Sequence, residues 1–126
     1  MGWDIVERHA GFGVRHGVRP GEWVLTVSGR PVGWVVRRQA ADGSGLVLKV
    51  GYWSAVNAWP RMVAVIEQVR RREALVWRIR PVNGSQRYER LAGRLTWWGP
   101  ISAACWSLLL YKRCSSQGNL SKKEAV

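Results

Sequence analysis

The chain has 126 residues, enough for one domain with its own core, so folding requires neither a metal nor a disulfide staple. Its 20 Lys+Arg stand against 8 Asp+Glu, a formal net charge of +12 that repels itself and favours anionic partners such as nucleic acid or an acidic membrane surface. So few acids and only 2 histidines leave little material for acid–base catalysis or for a metal site.

Taken in chain order, residues 1–21 are basic and punctuated by glycine, and they predict a short strand around Trp3–Val6 with loop beyond it. Glu22–Val27 and Val32–Arg38 are β-branched and aromatic runs on either side of Ser28-Gly29-Arg30-Pro31, the pattern of a hairpin. Alternation groups Trp23, Leu25 and Val27 on one face of the first strand. On the second it groups Val32, Trp34 and Val36, with Arg37 pointing the other way. A turn at Asp42-Gly43-Ser44-Gly45 leads into a third strand, Leu46–Trp53.

Over 57–73 the spacing predicts an amphipathic helix. Asn57 is its N-cap, Pro60 falls in the first turn, and Trp59, Met62, Val63, Ile66 and Val69 form one apolar stripe. Arg70, Arg71 and Arg72 would then occupy the last turn, the end of a helix that favours cations. Leu75–Arg80 alternates as a fourth strand ended by Pro81. Behind a Ser85 cap, Tyr88, Leu91, Leu95 and Trp98 have helical spacing, which predicts a helix broken at Gly99-Pro100. The competing reading is a return strand over 86–91.

The stretch 95–111 carries no charge, but it falls short of the roughly 20 residues that a spanning helix needs. Ser102, Ser107 and the Gly99-Pro100 break point the same way, to a buried helix over about 101–112. From 114 onward the polar tail has no periodicity and is expected to be disordered. The sum is an α+β fold: an antiparallel sheet of three to five strands, the 57–73 helix packed on it, and C-terminal helical segments. Its organisation is an N-terminal segment 1–21, a globular domain 22–113 and a tail 114–126.

Catalytic and metal constellations are weak. His9, His16, Cys105 and Cys114 match no zinc-finger spacing, and Gly11-Phe12-Gly13 is too short for a phosphate loop, so no catalytic residue, metal or cofactor is assigned. Asp4 and Glu7 stand where a secretory leader would be apolar, so Cys105 and Cys114 read as reduced thiols of a cytoplasmic protein.

Binding patterns are stronger. All basic residues but Lys49, Lys112, Lys122 and Lys123 are arginine, whose guanidinium forks phosphate and stacks on flat rings. Many of the nine tryptophans are expected to fill the core, yet Trp34 near Arg37, and Trp77 beside Arg78, interleave rings with cations. The reading is a small non-enzymatic nucleic-acid-binding or accessory regulatory protein, of the kind that mobile elements or phages encode. Arg37, Arg38, Arg70, Arg71, Arg72, Arg78 and Arg80 are its phosphate contacts. Two alternatives stand beside it. One is a protein–protein module or inhibitor docking an acidic or nucleic-acid-binding site of a host protein. The other is a peripheral membrane protein anchored over 95–113 by Trp97, Trp98, Trp106 and Lys112-Arg113.

Overall fold

The computed structural model describes residues 9–43, 45–53 and 60–125, with side chains described as far as Cys114. The strand expected at Trp3–Val6, and Asn57 and Trp59 of the expected helix, lie outside the described residues. The architecture is α+β: a curled antiparallel sheet of seven strands with two helices. The strands are β1 (Gly13–His16), β2 (Glu22–Val27), β3 (Arg30–Gln39), β4 (Leu46–Tyr52), β5 (Arg61–Arg71), β6 (Ala74–Pro81) and β7 (Thr96–Trp97). Helix α1 (Gln86–Gly93) lies between β6 and β7, and α2 (Pro100–Ala125) ends the chain. The strands lie side by side in sequence order, a plain meander.

The first hairpin follows from its residues. Val27 pairs with Arg30, so Ser28 and Gly29 form a two-residue turn, and both have positive φ (51° and 78°). Such a turn matches the right-handed twist of the flanking strands.

Three segments depart from expectation and raise the strand count above three to five: 61–71, 13–16 and Thr96–Trp97, the last a short strand paired with β6 inside the stretch expected as helix. Residues 61–71 are not part of a helix but the interior strand β5, hydrogen-bonded to β4 and β6. Val63, Ala64, Val65 and Ile66 are all buried, so the run mimics a helical stripe while being a strand covered on both faces. A register shift between Val50 and Gly51 in the β4–β5 ladder adds to the effect, since Val63 and Ala64 both join the main core beside it. Val63, Val65, Ile66 and Val69 are β-branched, which favours the pleated surface once ladder partners are present on both sides. Residues 13–16, expected as loop, form β1 against β2. Gly13 permits that pairing, because a Cβ there would sit 2.5 Å from Thr26 Oγ1.

Helix α1 forms as the Ser85 cap predicts: the hydroxyl accepts from Tyr88 N–H at 3.2 Å. It stops at Gly93, well short of Trp98. Its Tyr88 and Ala92, one turn apart, are buried, and Tyr88 O–H donates to the Val63 carbonyl at 2.7 Å. Pro100 opens α2, where its missing N–H costs nothing. Along α2, Ala103, Ala104, Cys105, Ser107, Leu108, Tyr111 and Cys114 are buried in the core formed by one face of the sheet. Small residues there let the helix approach closely. A Cβ on Gly33 of β3 would lie 2.7 Å from Leu108 Cδ2. Ser107 satisfies its buried hydroxyl by donating to the Ala104 carbonyl at 2.7 Å.

Helix α2 continues through Ala125, so it takes in 114–125, the stretch whose composition suggests an unstructured tail. No proline interrupts that stretch, and Gln117, Leu120, Lys122, Lys123, Glu124 and Ala125 are sound helix formers. Among the described residues no helix is long and apolar enough to cross a membrane.

Candidate functional site

Both helices pack on one face of the sheet, so the side chains of alternate strand residues project from the other. Val35, Val50, Ala64, Ile66 and Ile79 join the helix-side core. Apart from Val63, which the register shift also turns into the core, their neighbours in each strand therefore face away from the helices. Register then places these outward residues in rows. Arg15 stands opposite Val24, Val24 opposite Trp34, and Trp34 opposite Gly51. One step along, Val36 pairs with Lys49, Lys49 with Val65, and Val65 with Arg80. A third row has Arg38 opposite Val47 and Glu67 opposite Arg78.

Of the residues expected to contact phosphate, Arg38, Arg71, Arg78 and Arg80 thus share the helix-free face. Arg37 and Arg70 have the opposite parity, and Arg72 sits in the β5–β6 turn. The pairing of Trp34 with Arg37 is not made, because residues three apart on a strand point to opposite faces. Arg37 instead packs beside Gly21, whose carbonyl accepts its N–H at 2.8 Å. Arg15 and Lys49 belong to the face as well. Neither belongs to a run of arginines, and only cross-strand register groups them with the others on this face.

Glu67 is an acid within this basic surface. Its Oε1 accepts from Arg78 Nε and Nη2, both at 2.7 Å, while Arg80 Nε lies 3.6 Å from Oε2. A fork of this kind holds two guanidinium groups in place and leaves excess positive charge, though partial exposure keeps its contribution to stability small.

Past Gln68, β5 pairs with β6 alone, because the β4–β5 ladder ends at Leu48↔Ile66 and β4 starts at Leu46. The resulting two-stranded ribbon ends in Arg70, Arg71 and Arg72. Arg72 holds φ +57°, a conformation that costs a side-chain-bearing residue roughly 1–2 kcal/mol relative to glycine. Between the β3–β4 turn and the outward faces of β5 and β6 runs a groove of about 790 Å³. Val47 and Val65, buried to 8% and 5% exposure, line it together with Lys49, Glu67 and Arg80.

A second basic surface lies on α1. Arg87, Arg90 and Arg94 are exposed on the side away from buried Tyr88 and Ala92, with exposed Leu91 and Leu95 beside them. Of the tryptophans in 95–113, Trp98 is 80% exposed, whereas Trp97 and Trp106 stack on each other at 5.3 Å and pack against the core. Lys112 lies over the Tyr52 ring, its Nζ 5.9 Å from the centroid.

The cysteines are both free and buried. Nine residues apart on one helix, they are separated by about 13 Å along its axis, too far for a disulfide. Burial pushes the Cys105 thiol up to about 12, which makes it a poor nucleophile. Burial also raises the Tyr88 phenol far above its ordinary range, reinforced by Tyr111 and Cys114 nearby. The folded protein therefore keeps both protons at pH values where the unfolded chain, titrating near the ordinary 9.0 and 10.0, releases them. Stability is fully present below those values and falls as pH rises beyond them, by roughly 1.4 kcal/mol per pH unit for each group. Urea midpoints measured from about pH 8 to about 11 are expected to drop accordingly, and Cys105→Ala to delay the onset. A midpoint that holds steady across that range contradicts the assignment. Among the described residues no group of three or more His, Cys, Asp or Glu could hold a metal ion.

No protein-family model, curated protein or solved structure matches the chain.

Proposed function

We propose that this protein is a small, non-enzymatic nucleic-acid-binding protein that contacts phosphate with the helix-free face of its sheet. One observation carries the reading: strand register gathers Arg15, Arg38, Lys49, Arg71, Arg78 and Arg80 on a single face, with Glu67 and Glu22 as the acids in their rows. Six cations against so few carboxylates, on a chain of net charge +12, attract a polyanion before any specific contact forms. The arginine-tipped β5–β6 ribbon extends the same surface.

The testing experiment is a fluorescence-anisotropy titration of labelled nucleic acid at several salt concentrations. With about six phosphates neutralised, affinity is expected to fall roughly 10³-fold between about 50 and about 200 mM salt. Absence of binding, or an affinity indifferent to salt, refutes the proposal.

A further inference from the structure

The middle of the basic face is apolar and carries an aromatic ring set against Gly51. A Cβ built on Gly51 would lie 2.6 Å from Trp34 Cε2 and 2.8 and 2.9 Å from Nε1 and Cζ2, two of the three ring atoms bonded to it. An approach in the ring plane, from outside that edge, would bring the two bonded atoms closer than Cε2. The observed order is that of a point above the plane. One π-face of Trp34 therefore lies against Gly51, the glycine leaving room for the ring. The ring is not fully buried, and among the described residues Trp34 belongs to none of the ring pairs Tyr52–Tyr111, Tyr88–Tyr111 and Trp97–Trp106.

Around this platform the neighbours alternate in kind. Arg15 lies two strands away in the same row, about 10 Å by strand spacing. One row along, about 7 Å, come Val36 and Lys49, and then the groove with its Val47 and Val65 lining and Arg80. A duplex presents phosphates outward and keeps its bases stacked inside, so an apolar strip and a flat ring would have nothing to meet. An unpaired strand offers both parts. Its bases lie on ring and aliphatic surface while its phosphates reach the flanking cations.

Resting on the reading above, we infer that the ligand class of this face is single-stranded nucleic acid, with one base stacked on Trp34 and a neighbouring nucleotide in the groove between Lys49 and Arg80. Trp34 supplies sequence-tolerant stacking, because every base has a π-face. The bulk of its affinity comes from the cations, so the single-strand preference is carried by a few side chains that can be altered one at a time.

The test uses the full chain with a labelled single strand of about 12 nucleotides and the duplex of the same sequence. The single strand is expected to bind more tightly at equal salt. Trp34→Leu keeps an apolar cover on Gly51 but offers no ring, and is expected to weaken single-strand binding by roughly 5- to 100-fold while leaving duplex binding unchanged. Trp34→Phe should retain most of the affinity. If the leucine variant fails to fold, photocrosslinking of a 5-iodouracil-substituted strand to the wild-type protein, mapped by peptide mass, is expected to mark Trp34. Duplex binding as tight as the single strand, an unaffected Trp34→Leu, or crosslinks elsewhere overturn the inference and leave the broader reading standing. Failure of both forms to bind overturns the broader reading itself.

Discussion

Replacing Arg38, Arg71 and Arg80 together by glutamine is expected to weaken nucleic-acid binding by roughly 10²-fold at about 50 mM salt and to flatten the log–log salt slope by about 2. The expectation follows from counterion release: every phosphate that is no longer neutralised takes about 0.7 to 0.9 from the slope. These arginines are exposed and lie on strands rather than in the core, so their removal leaves no buried cavity. Arg78 is left in place because it makes the two short bonds to Glu67 and keeps that carboxylate satisfied. The matched control is Arg87, Arg90 and Arg94 on α1, also replaced by glutamine. It takes the same three charges from the +12 total but spares the sheet face, and should change the slope little. Equal losses from the two triple variants would show that net charge, not the face, carries the affinity.

Leu108→Ala is expected to cost about 2–5 kcal/mol, the largest single effect on stability. Leu108 is fully buried in the first half of α2 and meets the sheet where Gly33 leaves room for it. Gly33→Ala is expected to cost about 1–3 kcal/mol by the converse mechanism, since its Cβ meets Leu108 Cδ2 at 2.7 Å. The double variant is the sharper test. Removing the leucine vacates the volume that the new methyl enters, so the combined loss should fall short of the sum by about 1 kcal/mol. Rescue stays partial because the Gly51 carbonyl oxygen lies 2.8 Å from the same Cβ. Urea midpoints of the four proteins measure this coupling. Strict additivity would mean that the helix does not seat on Gly33.

Elements with purely local causes are legible in the sequence. The β2–β3 hairpin depends on Ser28-Gly29 and alternating apolar residues, and α1 on the Ser85 cap; both form near their expected places. The pattern of β5 misleads because its burial is not local. With Ala64 and Ile66 facing the helices and Val65 lining the groove, the run Val63–Ile66 has no period of two to display. A strand of that kind and a buried helix look alike until the partners are known. β1 is hidden for a related reason, as its four residues hold little intrinsic preference and are held by pairing with β2.

The candidate face divides along the same line. Composition by itself determined the excess of arginine and the net charge of +12, because charge counts need no coordinates. Which cations act together was decided only by the tertiary structure. Arg37 and Arg38 are adjacent in the chain yet face opposite ways, while Arg15, Lys49 and Arg80, far apart in sequence, look out from one face of the sheet. The physical reason is the antiparallel ladder. It spreads each strand's residues over two faces and then aligns one face of every strand, so that a surface is a property of register and not of sequence neighbourhood.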